Sequence, residues 1–287
     1  MILRLSAALL SLIVALLLFG CGDDATNPPG QTFSASDAGD PGLLHIHGLG
    51  VEGDTLYIAT HTGLFVAPEG QPKARRLGET RQDIMGFSVV EQGRFIGSGH
   101  PDATQDLPPN LGLIESRDEG KTWKNISLQG EADFHLLESA GEHIYGFDGT
   151  KGRLMVSADA GRSWDQRTPP AAMFGLAIDP ASADRIVTAT ELGVFGSQNA
   201  GKGWRPLRND LAGLLAWPST ERLFLVEGSG VVQTSSDGGK RWRQVGNVEG
   251  EPSAFIAHDG DLYAALGDGT VKHSADGGRS WSVRATP

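Results

Sequence analysis

The sequence predicts an all-β chain folded as a six-bladed β-propeller of four-stranded antiparallel blades. Two observations lead to this fold class. One eight-residue pattern occurs five times, and its first serines, from Ser116 to Ser274, are 41, 40, 38 and 39 residues apart. Six short apolar runs also stand at the same place in successive periods. Self-similarity at about 40 residues is typical of propeller blades.

The recurring pattern is Ser-x-Asp-x-Gly-x-Ser/Thr-Trp. An Asp side chain can bond backbone amides two residues on and Gly accepts a positive φ, so together they close a tight turn between strands. The Trp then opens the next strand and buries apolar surface between neighbouring blades. The positions predicted to have these structural roles are Asp118, Asp159, Asn199, Asp237, Asp276, Trp123, Trp164, Trp204, Trp242 and Trp281.

This pattern resembles the Asp box, or BNR repeat, over roughly residues 45 to 284. It departs from the repeat at Asn199 and Gly203 in the third copy and at Arg241 in the fourth, where looser turns are expected. The resemblance implies a sialidase-like propeller, a fold shared by glycosidases and by peptide-binding receptors and assembly factors. The start His45-Ile46-His47-Gly48-Leu49-Gly50 is similar to that of bacterial BNR-repeat lipoproteins labelled glycosyl hydrolase-like.

Six inner strands are predicted, one for each blade, against five copies of the turn. The apolar runs are HIHGLGV, IMGFSVV, DFHLLES, MFGLAID, GLLAWP and SAFIAHD. The first unit has the strands but lacks the turn pattern, as terminal repeats often do. The propeller is therefore placed at residues 43–287.

The start of the chain resembles a bacterial lipoprotein signal. A short basic segment precedes the apolar run Leu5 to Phe19, which is too short to span a bilayer, and Cys21 is the only cysteine. The prediction is a signal peptide at 1–20, a lipid on Cys21 and a flexible tether at 21–42. The protein would then be exported and held at the outer membrane or at the outer leaflet of the cell membrane. An incidental cysteine after an ordinary signal is the alternative.

Charge and composition limit the function. The formal net charge of −11 argues against a nucleic-acid partner, which needs clustered Lys and Arg. Sialidase chemistry would need a Tyr nucleophile, but Tyr57, Tyr145 and Tyr263 share a strand position that other blades fill with Phe or Val. That pattern indicates packing, so no catalytic residue is assigned and an enzyme is the less favoured class.

Five of the eight histidines are predicted to gather at one end of the propeller channel. They stand where the inner strands begin or where second strands end, and these points share one face of a propeller. His45 and His47, two residues apart on one strand, are expected to point the same way. Imidazoles with nearby carboxylates suit copper or zinc. The alternative is that each ring bonds a loop carbonyl. The candidate metal ligands are His45, His47, His61, His100 and His135.

The resulting interpretation is a lipid-anchored propeller that binds a small ligand, glycan or protein at this histidine-bearing face. A copper- or zinc-binding envelope protein and a glycoside hydrolase are the two rivals. The second blade is longer than its neighbours by the segment His100 to Gly112. Long loops in compact domains are often functional, so this segment is either a lid or a tolerated insertion.

Overall fold

The computed structural model describes residues 42, 43 and 45–287. These residues form strands arranged in six four-stranded antiparallel sheets, which confirms the six-bladed β-propeller. Within this part of the chain no helix is long and apolar enough to cross a membrane. The predicted signal peptide, Cys21 and nearly all of the predicted tether lie outside the described residues.

Each blade is built from four consecutive strands of the chain. Blades 1 to 3 contain β1 (Ile46–Glu52), β2 (Thr55–Thr60), β3 (Gly63–Pro68), β4 (Arg75–Arg76), β5 (Asp83–Glu91), β6 (Arg94–His100), β7 (Leu113–Ser116), β8 (Lys124–Ser127), β9 (Phe134–Ala140), β10 (His143–Asp148), β11 (Arg153–Ser157) and β12 (Asp165–Arg167). Blades 4 to 6 contain β13 (Met173–Asp179), β14 (Ser182–Thr190), β15 (Gly193–Ser197), β16 (Arg205–Arg208), β17 (Leu214–Ser219), β18 (Arg222–Val226), β19 (Val231–Ser235), β20 (Arg243–Asn247), β21 (Pro252–His258), β22 (Asp261–Leu266), β23 (Val271–Ser274) and β24 (Ser282–Ala285).

The inner strands β1, β5, β9, β13, β17 and β21 contact one another in a closed ring. An apolar cluster fills each gap between neighbouring blades, and five of the six clusters include the Trp of a repeated turn. The sixth cluster joins blades 6 and 1 and has no such Trp. There the backbone N–H of Ala74 donates to Thr286 O at 2.9 Å, and that of Thr286 donates to Pro72 O at 2.7 Å. Backbone pairing thus helps to close the ring where blade 1 lacks the turn.

The repeated turns are held by the hydrogen bonds that their residue types allow. In the second copy, Asp159 Oδ1 accepts from the Ser163 N–H at 2.8 Å and Asp159 Oδ2 accepts from the Ser163 hydroxyl at 2.6 Å. These bonds hold the pKa of Asp159 at about 2. The Gly161 N–H donates to Ser157 Oγ, and the same glycine-to-serine bond is present in the other four copies.

The looser turns expected in the third and fourth copies are not found, because both keep their backbone hydrogen bonds. Asn199 Oδ1 accepts from the Gly203 N–H at 3.0 Å, so only the bond from a side-chain hydroxyl is missing. In the fourth copy the Arg241 Nε–H donates to Asp237 Oδ2 at 2.8 Å and takes the place of that hydroxyl. The turn therefore tolerates these substitutions because its backbone contacts do not depend on them.

Five of the six inner strands have a register shift close to their first residues. In blade 1, Ile46 pairs with Thr60 and Gly48 pairs with Ala59, which leaves His47 without a partner residue in the ladder. Such β-bulges re-aim one side chain and are common next to functional sites. The residues left unpaired at this position are His47, Met85, His135, Phe174 and Ser253.

Candidate functional site

One end of the central channel, which we name the histidine mouth, is ringed by one residue from each inner strand. These residues surround a cavity of about 220 Å³. Three consecutive blades contribute side chains that can bind a transition metal, whereas the other three contribute side chains that rarely do. The six residues, in blade order, are His47, Met85, His135, Phe174, Leu214 and Ser253.

The most compact group at this mouth is His47, His61 and Asp83. One ligand atom from each lies within 4.8 Å of the other two. His61 Nδ1 is 2.9 Å from Asp83 Oδ2, and His47 Nε2 is 3.5 Å from Asp83 Oδ1. The two histidines come from blade 1 and the aspartate begins the inner strand of blade 2, so the group bridges two blades.

Two polar atoms of this group are buried and accept or donate no hydrogen bond within the described residues. His47 Nε2 and Asp83 Oδ1 face each other, yet neither has a hydrogen-bond partner among the described residues. Buried polar atoms in proteins are nearly always paired, so each exception needs an explanation. A cation between the nitrogen and the oxygen would satisfy both.

Burial also sets the protonation of this group. Burial, with a smaller contribution from the nearby His61, lowers the pKa of His47 to about 4. The His47 ring is therefore uncharged at neutral pH and has a lone pair to donate. Burial likewise raises the pKa of the Asp83 carboxyl, against the opposing effect of His61.

A second group lies around Asp133, which is 2% exposed. Asp133 Oδ2 accepts a hydrogen bond from His135 Nε2 at 2.8 Å and lies 3.6 Å from His100 Nε2. The bond to Asp133 raises the pKa of His135. Burial opposes ionisation of Asp133, but the contacts with His135 and His100 outweigh it and hold the pKa of Asp133 below its usual value. Asp133 Oδ1 is buried and has no hydrogen-bond partner within the described residues.

His45 lies beside the first group. It precedes β1 with a φ of 46°, and its ring centroid is 5.9 Å from that of His61. The sequence interpretation places His45 and His47 on the same side of one regular strand. That reasoning is wrong, because β1 begins only at Ile46 and the bulge re-aims His47. Both rings nevertheless approach His61, with His47 at 5.8 Å.

The long segment after His100 is tied to the blade at several points. The His100 Nδ1–H donates to Pro109 O at 2.8 Å, and Asp102 accepts from the Arg81 backbone N–H, also at 2.8 Å. The Leu111 N–H bonds Gly99 O. These contacts give the segment a structural role at the site, since it fixes which ring nitrogen of His100 bears the proton.

Asp83 and Asp133 are not among the residues singled out from the sequence. Each stands two residues before the bulge position of its inner strand, as His45 does in blade 1. Aligning HIH, DIM and DFH would have revealed this shared position. The structure brings His47 and His61 together on Asp83, and His100 and His135 together on Asp133.

The channel continues to the opposite end of the propeller, where it widens into a cavity of about 950 Å³. Glu138 lines both cavities, and burial by the surrounding protein raises its pKa to about 8. Carboxylates and His258 ring this opposite mouth. Tyr57 and Tyr145 are buried between blades, as a packing role requires.

No protein-family model matches the chain, and no curated protein matches it either. Solved structures share its fold. A chain of the nidogen/laminin complex is 13% identical with a TM-score of 0.64, over 81% of this chain and 93% of that one. The WD40 β-propeller domain of Doa1 is 11% identical with a TM-score of 0.59, over 85% and 83%.

The GH74 xyloglucanase from Xanthomonas campestris is 17% identical to this chain with a TM-score of 0.56. The match covers 84% of this chain but only 45% of the xyloglucanase, so the chain spans about half the length of that enzyme. At these identities the similarities show the propeller fold alone.

Proposed function

We propose that this propeller binds a transition-metal ion, copper or zinc, at the histidine mouth. The observation that carries the proposal is the pair of buried atoms, His47 Nε2 and Asp83 Oδ1, that face each other at 3.5 Å without a hydrogen-bond partner among the described residues. His61 Nδ1 completes a set of three ligand atoms. A metal ion, the rival to a small ligand, glycan or protein in the sequence interpretation, is therefore the ligand proposed for this face.

The ligand set suits these metals on chemical grounds. Two imidazoles and one carboxylate form a three-ligand set that leaves a further coordination position open. A neutral imidazole is needed, and burial keeps His47 in that form at neutral pH. His61 is 57% exposed, so the ion would be reachable from solvent and from an incoming ligand or partner.

The test is the metal content of the full chain purified in detergent without a histidine tag. We expect copper or zinc to remain bound after desalting and to raise the melting temperature. His47→Ala and His61→Ala should both lose the ion. His258→Ala, at the opposite mouth, is the matched control and should retain it. A wild-type chain that carries neither metal and shows no thermal shift with either would overturn the proposal.

A glycoside hydrolase is less well supported by the same geometry. Its two catalytic carboxyl groups must reach the sugar. At the histidine mouth, Asp83 is 9% exposed and Asp133 is 2% exposed, and histidines lie against both. An assay for reducing sugar released from xyloglucan, the polymer named by the GH74 neighbour, tests this alternative. Release that disappears in Asp133→Asn would favour it.

We further propose that the propeller is exported and held at a membrane by a lipid on Cys21, with residues 21–42 as the tether. The support is the sequence pattern around the only cysteine. Metabolic labelling with a radioactive fatty acid should label the wild-type chain and leave Cys21→Ala unlabelled. Equal labelling of both chains would exclude lipidation at this residue.

A further inference from the structure

Glu138 occupies a position of the repeat that is small or apolar in the other blades. In blades 2 to 6 the first serine of the repeated turn pairs with a residue of the second strand, and the next residue of that strand pairs with this position of the inner strand. The five residues at this position line the wide cavity at the opposite mouth and are, in blade order, Ser88, Glu138, Ala177, Ala216 and Ile256. The repeat itself therefore does not require a carboxyl group here.

The Glu138 carboxyl has no partner. No hydrogen bond or ion pair joins it to another described residue, and burial is the only cause that raises its pKa to about 8. The nearest polar neighbours in the sheet bond elsewhere, since Tyr145 donates to Ala183 O at 2.7 Å and Ser139 Oγ lies 3.3 Å from Ser88 Oγ. Buried polar groups are nearly always paired, so an unpaired carboxyl in a cavity wall indicates a ligand that supplies the missing partner.

The charge of the cavity lining favours a cation as that ligand. Among the described residues that line the cavity, none is Lys or Arg. Six other titratable side chains, Tyr57 aside, line it, and each forms a hydrogen bond or an ion pair within the described part of the chain. These six are Glu52, Glu91, Glu119, Asp179, His258 and Asp259. Glu138 is thus the carboxyl group that remains available to a cation.

The size and the walls of the cavity define the rest of the ligand. Its volume of about 950 Å³ lies in the range of small-molecule sites. The inner strands contribute apolar side chains to the lining, among them Leu49, Phe87, Leu215 and Phe255. A ligand that fits this lining has one cationic group for Glu138 and an apolar body for the walls.

We infer that the wide cavity at the opposite mouth binds a small organic amine, whose ammonium group pairs with Glu138 and whose apolar body contacts the inner strands. The inference goes beyond the proposed metal binding. His47, His61 and Asp83 do not line this cavity, so the two sites can be tested separately.

Amine binding at this site should release a proton. A carboxyl group with a pKa of about 8 is largely protonated at pH 7, whereas an alkylammonium group, with a pKa of about 10, stays charged. Because the ammonium group pairs with the ionised carboxylate, its affinity should rise about tenfold per pH unit from pH 6 towards pH 8 and then level off. Tyr57 and Tyr145 stay uncharged over this range, since burial raises the pKa of each to about 12.

The test is calorimetric titration of the full, untagged chain in detergent with phenethylamine from pH 6 to pH 9, after subtraction of a detergent blank. We expect Glu138→Gln to weaken binding about 10- to 100-fold at pH 8 and to abolish the rise with pH, because a charge-assisted hydrogen bond is lost. Glu91→Gln, at the rim of the same cavity, is the matched control and should change the affinity by less than about twofold. His258→Ala should keep the pH dependence, and melting curves verify that each variant is folded.

A neutral analogue distinguishes the counter-ion from the apolar walls. 2-Phenylethanol has the same body without the charge and should bind at least about tenfold more weakly than the amine at pH 8. Equal affinity for the amine and the alcohol would overturn the inference, and so would equal losses in Glu138→Gln and Glu91→Gln. A wild-type chain that does not bind the amine also overturns it and leaves the metal proposal intact, since metal content is measured independently.

Discussion

Blades 1 to 3 and blades 4 to 6 have the same strands, yet they differ at the histidine mouth. The mouth residues of the first half are His47, Met85 and His135, and those of the second half are Phe174, Leu214 and Ser253. The repeated turns show no such division, since all five keep the same glycine-to-serine bond. The repeated turns follow the ends of the third strands, so scaffold and candidate site occupy opposite ends of the blades. The histidines of the mouth are confined to blades 1 to 3.

The largest expected effect concerns the scaffold. Trp164 packs between blades 2 and 3, with its ring centroid 5.2 Å from that of Phe134, and its indole N–H donates to Ser127 Oγ at 2.9 Å. Trp164→Ala should lower the free energy of unfolding by about 3 kcal/mol, because it leaves a cavity in an interblade cluster. Urea denaturation measures this. Leu192→Ala, at an exposed apolar residue, is the control and should change stability by under about 0.5 kcal/mol.

If the two ends are independent, folded Trp164→Ala should bind metal as the wild type does. Equal destabilisation by Trp164→Ala and Leu192→Ala would show that the turn tryptophan does not hold the blades together.

The next effect concerns the site. Asp83→Asn keeps the shape of the side chain but removes the charge that faces His47 and His61. We expect zinc to bind at least about 100-fold more weakly, because mutating a residue that only hydrogen-bonds a metal ligand already weakens metal binding by up to that factor. Competition with a chromophoric chelator measures the affinity. Glu191→Gln, which removes a carboxylate from the position of His61 in blade 4, is the matched control and should leave it unchanged. An equal loss in both variants would mean that general charge, not the Asp83 site, attracts the ion.

The sequence was sufficient for the architecture and less so for the site. Five turn patterns fix the register of the blades, and six apolar runs indicate their number. The face on which the histidines lie then follows from their spacing within that register. The bulges of the inner strands could not be predicted from the sequence, because a bulge is defined by how a strand pairs with its neighbour. Regular strand alternation therefore does not explain why His45 and His47 lie close together; the bulge at His47 does. Asp83 and Asp133 were missed because strands often begin with or follow polar residues. Aligning HIH, DIM and DFH shows the position that they share, but only the structure shows that both carboxyl groups are buried.

Acid should weaken the scaffold through the repeated turns. The ordinary pKa of these carboxyl groups is 3.8, whereas hydrogen bonds from Thr122 and Ser163 hold those of Asp118 and Asp159 at about 2. A carboxyl with a depressed folded pKa stabilises the fold above its unfolded pKa, and this contribution is lost as the pH falls towards 2. Urea unfolding from pH 5 down to pH about 2 should show that decline.

Natural variation within the repeat supplies the controls for the acid effect. Asp159→Asn should flatten part of the decline, because Asn199 already shows that an amide closes the turn. The reverse change, Asn199→Asp, should steepen it. No difference in slope among the wild type and these variants would show that the turn carboxylates do not govern acid stability.

The smallest effect distinguishes His47 from His135, which both lie at the histidine mouth. The ordinary pKa of a histidine is 6.5. Burial lowers the pKa of His47 to about 4, whereas the bond to Asp133 raises the pKa of His135. In metal-free protein, NMR titration of the ring nitrogens should find His47 uncharged above pH about 5 and His135 still gaining charge above pH 6.5. His47→Ala and His135→Ala assign the signals. For His47, whose folded pKa is lowered, protonation favours unfolding as the pH falls from the pKa of the unfolded chain towards 4. For His135, whose folded pKa is raised, the bond from the charged ring to Asp133 stabilises the fold below pH 6.5. That contribution is lost as the pH rises through the folded pKa of His135. A common midpoint for both rings would show that Asp83 and Asp133 provide equivalent surroundings, and the distinction between the two groups at the histidine mouth would no longer hold.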